Sequence, residues 1–383
     1  MNYFLTEEQQ MIVDTAREIA QKRIVPVREK YDHDGTFPWD IVKALAEVDL
    51  CGLYIPEVYG GFGGGIMELC LACEELSKAC GGISLAMAAT ALGTFPILLF
   101  GTEEQKQKYL PPIATGKKLA AFGLTEANAG SDALGMKTFA KKDGDHYVLN
   151  GTKQWITNGE NAEIYSVLAK TSLDRGARGI TAFIIEKGTP GFSFGKHEDK
   201  MGIRASSTTE LVFQDCRIHK DQLLGKEGQG SIVAINTLNY SRPGVGSQAL
   251  GIAAGALDDA VKYSKERIQF GAPISSFQAV QHMLADMATQ IEAARALLYA
   301  TARTIDAGAK KFAKVSAMSK LFCSDVAMKV TVDAVQIMGG YGYMREYPME
   351  KRMRDAKITQ IYEGTNQIQR NEIALQLIKE SSS

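Results

Sequence analysis

The chain has 383 residues, a length that suggests about two or three domains and is enough to bury a sizeable core. Its 43 basic and 44 acidic residues give a formal net charge of −1, which excludes a general electrostatic affinity for nucleic acid or anionic lipid. The N-terminus, MNYFLTEEQQ, lacks the basic and apolar regions of a signal peptide. The longest apolar stretches, such as Ile83 to Leu92, are too short to cross a bilayer. We therefore expect a cytoplasmic protein with no membrane span.

Six cysteines are too few for a disulfide scaffold in a chain of this length, and free thiols suit a reducing compartment. Cys70 and Cys73 form a CxxC, but no second pair completes a zinc site and the flanking residues have a helical pattern. The five histidines lie far apart, without HExxH or His-x-His spacing. The sequence therefore predicts buried thiols and no metal centre.

Residues 1–118 are expected to form an N-terminal helical domain. Thr6-Glu-Glu-Gln9 has the form of a capping box, in which two side chains satisfy free backbone N–H groups at the start of a helix. Helical patterns follow over about 38–49, 67–79, 83–100 and 103–113. The glycine run between residues 59 and 65 does not fit GxGxxG and follows no clear strand, so it predicts a loop.

Residues 119–227 change to short β-rich runs divided by polar turns, which predicts a small antiparallel β-domain. From residue 228 to residue 383 long helical patterns return, over about 229–267, 277–307, 312–338 and 366–378. The fold class expected from this helical, β, helical order is α+β.

One carboxylate, Glu363, lies beside a glycine in the segment ITQIYEGTNQIQ, between two helical patterns. A buried carboxylate in an apolar setting is costly to ionise and is thereby suited to act as a base. A single glutamate is far more often a solvated surface residue. The glycine-rich run QIMGGYGY that precedes this segment favours the catalytic interpretation.

Two further segments have the composition of a ligand site. The loop from Phe122 to Asp132 combines small residues with the hydroxyls of Thr125 and Ser131, so its backbone N–H groups could approach a flat or anionic ligand. Trp155 precedes a hydroxyl residue and could flank an aromatic ring system, although a tryptophan on a strand is more often part of the core.

These segments resemble the two most specific motifs of the acyl-CoA dehydrogenase family. The motifs are GLTEANAGSDALG, from Gly123 to Gly135, and QIMGGYGYMREYPMEKRMRD, from Gln336 to Asp355, and the resemblance continues through IYEGT, from Ile361 to Thr365. It covers essentially the whole chain and is closest to the short-chain, butyryl-CoA dehydrogenase-like branch. It implies an N-terminal helical domain, a central β-domain and a C-terminal four-helix bundle.

The resemblance implies an FAD site shared between two subunits of a homotetramer, built as a dimer of dimers. The implied contacts within one subunit are Phe122, Leu124, Thr125, Gly130, Ser131, Trp155, Thr157, Thr365 and Gln367. Those that the neighbouring subunit would contribute are Arg267, Phe270, Gln278, Gln336, Gly339 and Gly340. The implied substrate contacts are Ser131, Tyr240, Arg242 and Gly364.

The α-proton of a thioester is too weakly acidic for a carboxylate base unless the developing enolate is stabilised. The resemblance implies that the Glu363 backbone N–H and a flavin ribityl hydroxyl bind the thioester oxygen. Glu363 would remove the α-proton while flavin N5 accepts the β-hydride. The product would be a 2-enoyl-CoA, and an electron-transferring flavoprotein would accept the electrons.

Family members place the base either in the YEGT segment or just before the arginine that corresponds to Arg242. This chain has Ser241 at the second place, which leaves Glu363 as the base. Glutaryl-CoA dehydrogenases carry an arginine where Ser84 aligns, and no Lys or Arg occurs between Lys78 and Lys106. Because an unpaired buried carboxylate is costly, dicarboxylyl substrates are disfavoured.

The acyl tail should lie along a run of small side chains, Ala86, Ala88, Ala89 and Ala91. These would widen the pocket for a branched or alicyclic group such as cyclohexanecarboxyl-CoA, but alanine is equally a good helix former. Two alternative functions stay open: enoyl-CoA reduction by the same site, and a non-catalytic flavoprotein scaffold.

Overall fold

The computed structural model describes residues 3–381. The helices are α1 (Glu7–Ile19), α2 (Arg28–Asp34), α3 (Trp39–Ala46), α4 (Ile66–Ala79), α5 (Gly81–Phe100), α6 (Glu103–Ala114), α7 (Gly230–Glu266), α8 (Gln278–Asp306), α9 (Ala313–Met338), α10 (Met349–Thr359) and α11 (Asn366–Ser381). The strands are β1 (Ala120–Gly123), β2 (Phe139–Asp143), β3 (His146–Thr157), β4 (Ile164–Lys170), β5 (Ile180–Glu186), β6 (Phe192–His197), β7 (Thr208–His219), β8 (Leu223–Leu224), β9 (Ile268–Gln269) and β10 (Ala272–Pro273).

Helix α1 begins at the predicted capping box, where Gln9 N donates to Thr6 Oγ1 at 3.1 Å and Thr6 N donates to Gln9 Oε1 at 3.2 Å. Helix α4 is capped instead by a side chain that is distant in the sequence. The Asp306 carboxylate at the end of α8 accepts from Ile66 N at 2.7 Å and from Met67 N at 2.8 Å. Any side chain at Gly65 would collide with that carboxylate, so the glycine allows α4 to be fastened to α8.

Helix α5 is apolar on every side and packs against α4, α7 and β1. Its 20 residues are long and apolar enough to span a bilayer by length and composition, so the expectation that the apolar stretches are too short was wrong. The helix is longer than Ile83 to Leu92 because it continues through Pro96 to Phe100. It is mostly buried inside the protein, as the central helix of a globular core is.

The β-domain is a sheet with the order β6-β7-β3-β2-β4-β5-β8, and β1 pairs with β4. This sheet is mixed, whereas the sequence predicted an antiparallel one. Strand β1 runs parallel to β4, with Ala120 opposite Ile164 and Gly123 opposite Val167. In the sequence, the hairpin of β2 and β3 lies between β1 and β4. After that hairpin, β4 runs in the same direction as β1.

The C-terminal region consists of the long helices α7, α8, α9 and α11 together with the short helix α10. The sequence pattern did not predict α10. Its sequence, MEKRMRDAKIT, lacks an apolar stripe because three of its buried residues are charged. Lys351 pairs with Asp355 one turn along, and Arg352 Nη2 lies 2.9 Å from Asp259 Oδ2 on α7. This helix is held by buried ion pairs in place of an apolar face, which apolar periodicity cannot detect.

All six cysteines are buried free thiols. Cys70 and Cys73 lie within α4, and burial raises the pKa of both thiols. The CxxC is thus part of the core, where small apolar side chains suit it.

Candidate active site

Glu363 lies in the turn between α10 and α11, in a left-handed backbone conformation with φ of +53°. Gly364 follows with φ of +92°, and a Cβ there would lie 2.6 Å from Gln369 Nε2. A left-handed conformation costs a residue other than glycine about 1–2 kcal/mol, and such positions cluster at functional sites. The turn gives Glu363 an orientation that a regular helix end would not.

The carboxylate of Glu363 accepts a hydrogen bond from the Ser241 hydroxyl on α7. Burial raises the pKa of Glu363, and the Ser241 hydrogen bond and the positive charges of Lys320 and Arg242 offset part of that rise. The carboxylate is therefore a stronger base than a solvated glutamate.

Arg242 follows Ser241 on α7 and is only 6% exposed. Its Nη1 donates to Asn239 Oδ1 at 2.8 Å, and its Nε–H has no partner within residues 3–381. Its Nη2 lies 3.9 Å from the position that a Cβ of Gly364 would occupy. Because a buried donor without a partner is costly, this guanidinium has capacity to bind a ligand beside the Glu363 turn.

A small cavity adjoins the Glu363 carboxylate. Its lining is mostly apolar and consists of Leu69, Leu85, Ala88, Ala91, Phe95, Ser241, Gly244, Val245, Gln248 and Glu363. Tyr240 packs behind this wall, with ring centroids 6.1 Å from Phe95 and 5.0 Å from Phe312. An apolar chamber with one carboxylate is suited to an acyl chain whose reactive carbon lies near the base.

The expectation that four alanines of α5 face this cavity was wrong for two of them. Ala88 and Ala91 line it, whereas Ala86 packs against the β-domain and Ala89 packs against Leu85 and Ile203. Helical geometry explains the division, because residues 88 and 91 lie on one side of α5 and residues 86 and 89 on another.

The second part of the site lies where β1 ends. Phe122 is buried in the last part of β1, and Leu124 and Thr125 follow it and are partly buried. Gly130 and Ser131 are exposed in the loop beyond.

Trp155 lies in a bulge of β3 with φ of +57° and is 54% exposed, so it is not the core tryptophan that strand statistics favour. The bulge contacts the loop after β1, since Gln154 N donates to Thr125 O at 2.9 Å. Thr157 ends β3 just beyond. An exposed indole held in a strained bulge beside Leu124 and Thr125 fits a flat aromatic ligand such as an isoalloxazine ring.

A buried ion pair that the sequence analysis missed holds this loop. Lys153 is completely buried, and its Nζ donates to Leu124 O at 3.1 Å and to Glu126 Oε1 at 2.8 Å. The Glu126 carboxylate also accepts from Lys137 N at 2.6 Å and Thr138 N at 2.9 Å. Burial lowers the pKa of Lys153 to about 8, and Glu126 opposes that shift. Residues 124 to 138 are thereby fixed at both ends.

A third group of predicted residues lies in the C-terminal region. Arg267, Gly339 and Gly340 line one open hollow of about 510 Å³, and the Arg267 guanidinium stacks over the Tyr341 ring at 5.2 Å. Phe270 is 98% exposed at the tip of the hairpin of β9 and β10.

Gln278 and Gln336 are also exposed, as is Gln367 in the first turn of α11. Thr365 Oγ1 accepts from Ile368 N at 3.2 Å at the start of that helix. Within residues 3–381 no hydrogen bond or ion pair joins the group of Arg267, Phe270 and Gly339 to the loop of Leu124 and Trp155. The predicted cofactor contacts thus form two groups that these interactions do not join.

Three family models match the chain, and their descriptions are acyl-CoA dehydrogenase N-terminal domain over residues 6–117, middle domain over 121–216 and C-terminal domain over 228–378. The chain belongs to the acyl-CoA dehydrogenase family. It is an oxidoreductase that dehydrogenates acyl-CoA, and its cofactor is FAD. The sequence predictions of the family, the fold class, the enzyme class and the cofactor are confirmed.

The relatives include a short-chain-specific acyl-CoA dehydrogenase of Megasphaera elsdenii, 50% identical over 374 residues, which are 96% of this chain and 97% of the relative. An acryloyl-CoA reductase (NADH) of Anaerotignum propionicum is 48% identical over 381 residues, 99% of this chain and 96% of the relative. A solved structure from work on the electron transferring flavoprotein of Acidaminococcus fermentans has a TM-score of 0.96 and 54% identity, with 98% of this chain and 99% of that chain covered.

Proposed function

We propose that this enzyme oxidises a short-chain or alicyclic acyl-CoA to the 2-enoyl-CoA, with Glu363 removing the α-proton. The observation that carries the proposal is the Glu363 carboxylate at the edge of an apolar cavity, with its pKa raised by burial. A general base works best when its pKa lies near the working pH, and burial moves a carboxylate in that direction.

The groups around Glu363 have complementary parts in this reaction. Ser241 binds Oε2 of the carboxylate and so orients it, which leaves Oε1 to face the α-carbon. Arg242, whose Nε–H has no partner among the described residues, closes the wall on the CoA side, together with Tyr240 and Gly364. The backbone N–H of Glu363 provides a donor to the thioester oxygen, which favours the enolate as its charge develops.

Bound FAD supplies the acceptor for the β-hydride. Leu124, Thr125, Trp155 and Thr157 would hold the isoalloxazine ring, with Phe122 behind it and Gly130 and Ser131 between ring and thioester. The dinucleotide would lie against Thr365 and Gln367 of the same subunit and against residues of a second subunit, namely Arg267, Phe270, Gln278, Gln336, Gly339 and Gly340. The almost complete exposure of Phe270 supports this shared site and a homotetramer that covers it.

The lining of the cavity restricts the acyl group. Within residues 3–381 the lining includes no lysine or arginine, and Ser84 Oγ is occupied by Ser77 Oγ at 2.7 Å and Gly81 O at 3.0 Å. A distal carboxylate would therefore be buried without a counter-ion, which is costly. Short apolar and alicyclic acyl groups are the substrates that this chamber favours.

The electron acceptor proposed for this chain is an electron-transferring flavoprotein in the cytoplasm. The similarity to a structure from work on such a flavoprotein supports the partner. A second function, reduction of an enoyl-CoA by the same residues, is favoured by the similarity to an acryloyl-CoA reductase. A non-catalytic scaffold would have no use for a strained Glu363 beside a buried Arg242 whose Nε–H has no partner within residues 3–381.

The test is anaerobic titration of the purified flavoprotein with butyryl-CoA, cyclohexanecarboxyl-CoA and glutaryl-CoA, read as bleaching of the flavin absorbance. The first two should bleach the flavin and glutaryl-CoA should do so poorly. Rapid bleaching by glutaryl-CoA would contradict the substrate class. A flavin that no acyl-CoA bleaches, but that reoxidises rapidly with an enoyl-CoA after chemical reduction, would favour the reductase.

A further inference from the structure

The ammonium of Lys320 is buried directly behind the turn that carries Glu363. Lys320 lies on α9 with no exposed surface, and its Nζ donates to Gly364 O at 2.8 Å and to Asn366 Oδ1 at 2.9 Å. Within residues 3–381 it takes part in no ion pair with a carboxylate at 4.0 Å or less. A buried charge solvated only by a carbonyl and an amide is expensive, so the position requires an explanation beyond packing.

A second buried side chain holds the same turn from α11. Gln369 Nε2 donates to Glu363 O at 3.2 Å and to Gly364 O at 2.9 Å. The carbonyl groups of both left-handed residues are therefore bound by side chains from the helices behind them. Strained backbone of this kind persists only where its surroundings over-determine it, and these donors provide that constraint.

We propose that Lys320 is a positioning residue for the base: it fixes the Glu363–Gly364 turn so that the carboxylate and the Glu363 N–H point into the cavity, and its charge keeps that carboxylate ionised. This inference rests on the proposed function of Glu363. Lys320 acts through the turn and touches no substrate.

The burial of Glu363 explains why the donor behind its turn is a cation, the ammonium of Lys320, and not a neutral group. A neutral donor could hold the Gly364 carbonyl, but burial raises the pKa of Glu363 and the charge of Lys320 opposes that rise. The charged groups around Lys320 are Glu363 on the turn, Arg242 on α7 and Asp325 on α9 itself. Burial lowers the pKa of Lys320 to about 7, against the effect of Glu363, so the charge that assists the base is itself sensitive to its surroundings.

The decisive variant is Lys320→Met, which keeps the length of the stem and removes the donors and the charge. Thr331→Val is the matched control, because Thr331 is equally buried on α9, three turns away. In the part of the chain that the structure describes, its hydroxyl binds only Ala327 O and Met328 O of its own helix. Each holoenzyme is measured for flavin content, Tm, kcat and KM with butyryl-CoA, and the pH dependence of kcat/KM.

A misplacement of about 1 Å costs on the order of 100-fold, so Lys320→Met should lower kcat by about 100-fold with a much smaller change in KM. Loss of the cation disfavours the carboxylate form of Glu363, so the acid limb of kcat/KM should move to higher pH. Lys320→Arg keeps the charge and should leave that limb in place. Thr331→Val should change Tm alone.

A Lys320→Met enzyme with wild-type kcat per flavin and an unmoved acid limb would overturn the inference, whatever its Tm. If that variant does not fold, Lys320→Gln replaces it as a polar and neutral substitute. The same shift of the acid limb supports the inference there, and an unmoved limb overturns it. A wild-type enzyme inert towards every acyl-CoA overturns the proposed function and the inference with it, whereas an active wild type beside an unaffected variant overturns only the role of Lys320.

Discussion

The Ser241 hydroxyl on α7 donates a hydrogen bond to Oε2 of Glu363, which lies 122 residues further along the chain. The family resemblance implies that Ser241 occupies the place where other branches carry their base, and the contact between Ser241 and Glu363 means that these two positions adjoin one another in this fold. The hydroxyl at position 241 donates a hydrogen bond to the carboxylate at position 363.

Ser241→Ala should shift the pH dependence of the reaction. The Ser241 hydrogen bond lowers the pKa of Glu363, so its loss raises that pKa, and the ionised base disappears at a higher pH as the solution is acidified. A hydrogen bond to a charged group contributes roughly 1.5–3 kcal/mol, so the acid limb of kcat/KM should move measurably to higher pH. Ser264→Ala, which removes a hydroxyl whose one hydrogen bond among the described residues goes to Val261 O on the same helix, should leave the limb unchanged. An acid limb that coincides for both variants and the wild type would contradict this role.

Glu363→Gln should retain FAD and bind acyl-CoA but lose most of its turnover, because an amide cannot accept the α-proton. Removal of a general base costs on the order of 10²–10⁴-fold. Steady-state kcat with butyryl-CoA, normalised to bound flavin, is the measurement. A rate within a factor of about three of the wild type would reject Glu363 as the base on that scale.

Ser241→Glu in a Glu363→Gly background should recover part of the lost activity. The contact between the Ser241 hydroxyl and the Glu363 carboxylate means that a carboxylate on α7 reaches the same end of the cavity. The comparison is between the double variant and Glu363→Gly alone. Equal rates for the two would establish that the positions are adjacent but not interchangeable.

Ala91→Leu should harm cyclohexanecarboxyl-CoA more than butyryl-CoA, because Ala91 lines the cavity and a larger side chain fills the space for the ring. Overfilling a packed site costs about 1–3 kcal/mol, or roughly ten- to a hundredfold in kcat/KM. Ala89→Leu is the matched variant, since Ala89 packs against Leu85 and Ile203 and should affect both substrates alike. The same ratio of the two substrates in both variants would show that α5 does not select the acyl group.

The sequence predicted the long helices well because their apolar spacing is a local property. The helix predicted over 229–267 is Gly230–Glu266, and the one over 312–338 is Ala313–Met338. Helix α10 was missed because its buried face is charged: Lys351 pairs with Asp355 on the same helix, and Arg352 pairs with Asp259, which lies 93 residues away in the chain. The parallel pairing of β1 with β4 was missed for a related reason. The packing of the whole domain determines which strands pair, and the sequence of a single strand does not.

The candidate site was predictable where a residue stands out from its neighbours. Glu363 stands out because it lies beside a glycine, whereas Lys320, which lies behind the Glu363 turn, does not stand out in this way. Yet a signal existed, because the residues one turn either side of Lys320 are all small, namely Ser316, Ala317, Cys323 and Ser324. A lysine on a stripe of small residues lies on a helix face that packs closely, and it must find its acceptors inside the protein.

The Asp306 carboxylate, which caps α4, connects the cavity wall of one subunit to the helix that is proposed to contact the cofactor of another. Asp306 ends helix α8, whose first residue, Gln278, is proposed to contact the flavin of a neighbouring subunit. Helix α4 carries Leu69 into the wall of its own subunit's cavity. The 29 residues of α8 form a rod about 43 Å long. In the proposed tetramer one rigid helix would thus brace the cavity of one subunit at one end and reach the cofactor of the next at the other, so the spacing of neighbouring catalytic centres would be set by the length of a helix and not by loops.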